Sequence, residues 1–201
     1  SLEARAIGAL FPDSIILSGA NATKDLLKSY PSPGILHVAT HGFFLDDKPA
    51  ESSARDRSAG IQNPLLRSGL ALAGANARSG EGILTALEAS GLNLWGTKLV
   101  TLSACDTGLG AVRNGEGVYG FRRALVLAGA ETLVMSLWPV SDQVTRELMT
   151  AYYSRLKKGE GRSEALRQVQ LSLIKRPERQ HPFYWASFIQ SGEWANLDGK
   201  R

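Results

Sequence analysis

Apolar runs of strand length alternate along this chain with segments of helical period. The runs occupy residues 14–17, 35–40, 69–73, 99–103, 132–138 and 184–189. Between them, Val118, Phe121, Leu125 and Ala128 fall at i, i+3, i+7 and i+10, one apolar stripe of a helix, and Gly129 follows where a left-handed cap belongs. Val144, Leu148, Tyr152 and Leu156 recur every fourth residue, and Leu166, Val169 and Leu173 mark a further helix that Pro177 stops. The chain opens directly in helix-like sequence. Strands alternating with helices in this way predict an α/β sandwich: three layers, with a mainly parallel central sheet flanked by helices.

One stretch breaks the alternation. Residues 46–62, DDKPAESSARDRSAGIQ, are polar, small and free of aromatics, which predicts a mobile surface loop. Its Arg55 and Arg57 would suit a protease of basic preference, but nothing else in the chain supports self-processing.

Composition narrows the classes. At 201 residues and 43% apolar content the chain can bury a sizeable core in one domain. A net charge of +4 is spread thinly: its densest patch, Lys175, Arg176 and Arg179, is interrupted by Pro177 and Glu178, which argues against a nucleic-acid partner. No apolar stretch reaches the roughly 18 residues of a membrane span, and no signal-type segment opens the chain. A single cysteine agrees with a reducing compartment, so the expected location is cytoplasmic.

Chemistry concentrates in two short blocks. Residues 34–42 read GILHVATHG and residues 98–108 read KLVTLSACDTG, each an apolar run ending on a capable side chain. In a parallel sheet, reactive groups gather beyond the carboxyl ends of the strands, where both blocks end. A thiol of pKa about 8.5 is only a few per cent thiolate at neutral pH, and an adjacent imidazole raises that fraction. Cys105 is thus the candidate nucleophile and His41 its base. Gly42 leaves room for a substrate carbonyl, and its amide with that of Cys105 forms a candidate oxyanion hole, each donor worth roughly 3 to 4 kcal/mol of barrier. The polar, glycine-rich turn from Asp106 to Gly110 favours a functional over an inert buried cysteine. His37 shares strand parity with His41 but sits inside the apolar run, and it reads as a packed, hydrogen-bonded core histidine.

Two motif matches lack their context. His37 and His41 have HExxH spacing, but HVATH has no glutamate and is β-branched, so no metal is expected. GEGVYG at 115–120 fits GxGxxG, yet the preceding strand ends a dozen residues too early, so no nucleotide cofactor is expected.

The paired blocks resemble the caspase-like cysteine peptidases, the group that includes caspases, gingipains, legumain and separase. HVATHGFF, NPLLRSGLALAGAN, LTALEASGLNLWGTKLVTLSACDTGLG, GEGVYGFRRALVLAGAETLVMSLWPVSD, LMTAYYSRL, EALRQVQLSL and HPFYWASFIQSG together look like the CHAT domain, a bacterial and fungal relative of separase. The resemblance runs from the first helix to Trp194. It implies a caspase-like fold over a single domain, 1–201, forming the C-terminal part of a longer protein. It also implies a Cys-His dyad on Cys105 and His41, with Gly42 as an oxyanion contributor and no cofactor. CHAT domains usually follow TPR-type repeats that act as sensors, and family members serve in bacterial regulated proteolysis. The expected partners are therefore a protein substrate and a regulatory repeat region or activator. Asp142 matches an aspartate of a separase-like Trp-x-Val-x-Asp segment and is a candidate for the substrate pocket, although Ser141 and Asp142 also read as the N-cap and first turn of a helix. Asp106, beside the nucleophile, is the other pocket candidate. The alternative to an endopeptidase is a latent or inactive scaffold that keeps the fold for partner binding.

Overall fold

A computed structural model describes residues 2–44, 64–77, 81–103 and 116–199. The tract 46–62 lies outside them, as do Cys105 and Asp106. The strands are β1 (Ile35–Val38), β2 (His41–Phe44), β3 (Ser68–Ala71), β4 (Ile83–Thr85), β5 (Leu99–Leu102), β6 (Thr132–Ser136) and β7 (Phe188–Gly192). The helices are α1 (Leu2–Gly8), α2 (Lys24–Ser29), α3 (Ala86–Ala89), α4 (Glu116–Leu127), α5 (Asp142–Lys157), α6 (Arg162–Ile174) and α7 (Pro182–Trp185).

The central sheet has the order β1-β5-β6-β7, with β1, β5 and β6 parallel and β7 antiparallel to β6. A second, three-stranded sheet, β2-β3-β4, is antiparallel throughout. Alternation along the central strands sorts their side chains onto two faces. Leu36, Val38, Val100, Leu102, Leu133 and Met135 pack with Phe121, Ala124, Leu125 and Ala128 of α4 and with Ala86 and Ala89 of α3. Ile35, Leu99, Val134 and Phe188 pack the other way, with Ile7 of α1, Leu148, Met149, Tyr152 and Tyr153 of α5, and Ala165, Leu166, Val169 and Leu173 of α6. Helices on both faces of a mainly parallel sheet make the predicted three-layer, caspase-like α/β sandwich.

Helix ends follow local chemistry. Gly129 takes φ of +107° just past α4, the left-handed cap expected from the sequence, and a side chain there would collide with the backbone of Trp95. Ser141 accepts from the Val144 amide at 3.4 Å and caps α5, so Asp142 is the first helical residue. Arg162, at the start of α6, is fully buried; it donates to Thr132 Oγ1 at 2.9 Å and reaches Glu131 Oε2 at 3.5 Å.

Three expectations need correction. Residues 14–17 form no strand: Ile15 and Ile16 are exposed, and the run lines a cavity of about 610 Å³ together with Gly34, Ile35 and Leu36, standing off from β1 instead of pairing with it. The run 184–189 divides, because Pro182 at the first helical position and His181, which accepts from the Phe183 amide at 3.2 Å, start α7 there and delay β7 to Phe188. Finally, the apolar run after residue 35 ends at Val38. His41 opens β2 in the other sheet, so it does not continue the face on which His37 lies.

Candidate active site

β1 and β5 are parallel neighbours, registered Ile35 with Leu99 through Val38 with Leu102. Their carboxyl ends therefore lie side by side, roughly 5 Å apart at strand spacing. From the first, Ala39 and Thr40 lead to His41; from the second, Ser103 and Ala104 lead to Cys105. The Ser103 amide donates to Val38 O at 3.0 Å and carries the parallel pairing one residue past β5.

His41 is exposed and stands opposite Ala71 of β3. The Thr40 hydroxyl donates to the Ala71 carbonyl, which fastens the corner between the two sheets. Gly42 follows opposite Leu70, and among the described strands β2 is an edge, so alternate amides along it point away from the ladder. Behind it, Gly69 has no side chain because the Phe43 ring occupies that space: a Cβ there would lie 2.6 Å from the ring tip. Asp142 is exposed at the start of α5, beyond the carboxyl end of β6 and thus on the same side of the sheet. Its helix-start reading holds.

His37 is a packed core histidine, as its place in the apolar run suggests. Its Nδ1 lies 3.0 Å from the Tyr153 hydroxyl, which donates onward to Thr101 Oγ1 at 2.8 Å. Its Nε2 faces Glu3 Oε1 at 3.2 Å and Ser103 Oγ at 3.4 Å. Ser103 in turn donates to Glu3 Oε2 at 3.2 Å. Burial pushes the Tyr153 phenol above its ordinary range, although the bond to Thr101 works against that shift. The hydroxyl is thus a fixed neutral link. Sequence reading found His37 but none of these partners. A signal was present: Thr101 and Ser103 place hydroxyls on the parity of Leu99, the same face that His37 occupies in register.

The basic patch is partly spent internally. Arg176 pairs with Glu147, and the Arg179 guanidinium lies 5.1 Å from the Tyr184 ring centre. No described helix is long and apolar enough to cross a membrane.

With this geometry in view, comparison with known proteins decides the family. A family model for the CHAT domain matches residues 1–193. The chain is a member of the CHAT domain family. Its domain therefore belongs to the caspase-like, protease-related group. Tetratricopeptide repeat protein 28 of mouse is 31% identical over 116 residues, 58% of this chain and 5% of that protein. The human protein of the same name is 32% identical over 116 residues, again 58% of this chain and 5% of the relative. The CHAT domain thus has relatives among tetratricopeptide repeat proteins, and it spans only a small part of their length.

Proposed function

We propose that this CHAT domain is a cysteine endopeptidase that cleaves a protein partner, with Cys105 as nucleophile and His41 as base. His41 takes or shares the thiol proton, the thiolate attacks a peptide carbonyl, and the protonated imidazole returns its proton to the leaving amine. Water then attacks the acyl enzyme and releases the carboxylate product. The amides of Gly42 and Cys105 serve the developing oxyanion, and Asp142 and Asp106 are the candidates for reading the residue before the scissile bond. An N-terminal repeat or sensor region controls the activity.

What carries this reading is the position of His41: an exposed imidazole just beyond the carboxyl end of β1, beside the strand whose continuation leads within three residues to the chain's one cysteine. Family membership supports the class of chemistry, and the tetratricopeptide repeat relatives support the repeat-region control. The test is a proteome-wide comparison of new N-termini made by the full-length protein and by its Cys105→Ala variant, with the activating partner present. New termini found with wild type alone support the endopeptidase. Identical termini from both, beside retained partner binding, establish the scaffold instead.

A further inference from the structure

The network around His37 gathers residues from four elements. Glu3 comes from α1, His37 from β1, Thr101 from β5 with Ser103 one residue past it, and Tyr153 from α5. Glu3 and Tyr153 are the members that stand on helices, and the Glu3 side chain is only 13% exposed. Its two oxygens are used differently. Oε2 accepts from Ser103, while Oε1 lies buried 3.2 Å from His37 Nε2 with no aligned donor among the described residues. With Tyr153 donating to Thr101 and Ser103 donating to Glu3, both imidazole nitrogens face oxygen atoms that can accept.

The two residues that meet this carboxylate lie a short way before the candidate dyad along the chain. Ser103 precedes Cys105 by two residues and His37 precedes His41 by four. We infer that Glu3 is a positioning residue: through Ser103 and His37 it ties the N-terminal helix to the ends of both dyad strands, and seating α1 sets the approach of His41 to the thiol. This rests on the endopeptidase reading and adds its regulation. Whatever acts on the N-terminal helix, a repeat region or an activator, acts on the site through one carboxylate. α1 also packs along α5, so a shift of the helix draws on Tyr153, the other partner of His37. Displacing α1 leaves the Ser103 hydroxyl and His37 Nε2 without this partner.

The experiment measures alkylation of Cys105 by iodoacetamide against pH in the full-length protein, read by mass spectrometry of the Cys105 peptide, with circular dichroism to confirm folding. A dyad gives a wild-type midpoint below the free-thiol value of about 8.5, and loss of the imidazole returns it there. His41→Gln reports on the dyad itself. Glu3→Gln and Ser103→Ala are expected to move the midpoint toward the free-thiol value and to slow alkylation at pH 7 by roughly tenfold, while Ser103→Thr, which keeps the hydroxyl, stays near wild type. If Glu3→Gln does not fold, the Ser103 pair decides. Wild-type profiles for Glu3→Gln and Ser103→Ala beside a shifted His41→Gln profile overturn the positioning role and leave the dyad standing. Equal shifts for Ser103→Ala and Ser103→Thr overturn it as well. An unshifted His41→Gln profile overturns the dyad and the positioning role together.

Discussion

The two faces of the central sheet are built from the same strands by opposite rules. Toward α3 and α4 the strands present Leu36, Val38, Val100, Leu102, Leu133 and Met135, a cluster of apolar side chains. Toward α1, α5 and α6 they present Ile35, Leu99, Val134 and Phe188, but also His37, Thr101 and Thr132, answered by Tyr153, Glu3 and Arg162. The first face gains from burial alone, at roughly 1.5 to 3 kcal/mol per large side chain, and is indifferent to the details of angle. The second gains less per group and requires every partner, since a buried donor or acceptor left unmade costs about 1 to 3 kcal/mol. Adhesion is the work of one face and orientation of the other.

The largest way to break this contrast is on the apolar face. Leu133→Ala removes a side chain that is 1% exposed in a strand paired on both sides, and it is expected to cost about 2 to 5 kcal/mol in chemical denaturation. The loss should fall on stability without changing the pH profile of Cys105. On the polar face, two adjacent tyrosines, both fully buried, give a sharper comparison. Tyr153→Phe deletes the link between His37 and Thr101 and is expected to cost about 1 to 3 kcal/mol. Tyr152→Phe deletes a hydroxyl that has no hydrogen-bond partner among the described residues, so its stability should stay within about 0.5 kcal/mol of wild type or rise. Equal losses for the two tyrosines would remove the case for a specific network.

The smallest effect is a pH dependence at the rim of the apolar face. Burial works to raise the Glu88 carboxyl, but the hydrogen bond from Lys24 at 2.8 Å, the Thr85 amide and the charges of Lys24 and Lys28 outweigh it and bring its pKa from 4.5 down to about 2. The folded value lies below the unfolded one, so this contribution is present above pH 4.5 and is lost as pH falls from 4.5 toward 2. Glu88→Gln should flatten the stability curve in that window. The group is a third exposed, so solvent screening keeps the slope small.

How far the sequence could be read depended on the range of the interaction. The stripes of α4, α5 and α6 repeat within a few residues, and Gly129, Ser141 and Pro177 mark their ends by chemistry that acts locally. β1, β5 and β6 were legible because each is an apolar run, and β5 and β6 are each followed by a helix. The strand β2 was not, since HGFF includes a glycine and pairs only because Ser68–Ala71 returns to it from far along the chain. Residues 14–17 erred in the other direction: two adjacent isoleucines supply apolarity but no partner for their backbone. The site divided in the same way. His41 is legible as the capable side chain just past an apolar run, whereas the surroundings of His37 depend on Glu3 and Tyr153, distant in sequence on either side. Those contacts leave no local trace. The capping box of α3, in which Thr85 and Glu88 bond reciprocally, was local and open to reading as Thr-x-x-Glu.

The register of Ile35 with Leu99 has a consequence for the order of folding. The antiparallel hairpin β3–β4 closes over a short stretch, but among the described strands β1 has no partner until the whole β2–β4 sheet has been synthesised and β5 emerges. Closing so long a loop delays the contact and its reward, which slows folding. During translation, the strand that leads to His41 is therefore a lone edge, and the N-terminal helix waits longer still, because Ser103 is made after everything else it must grip except α5.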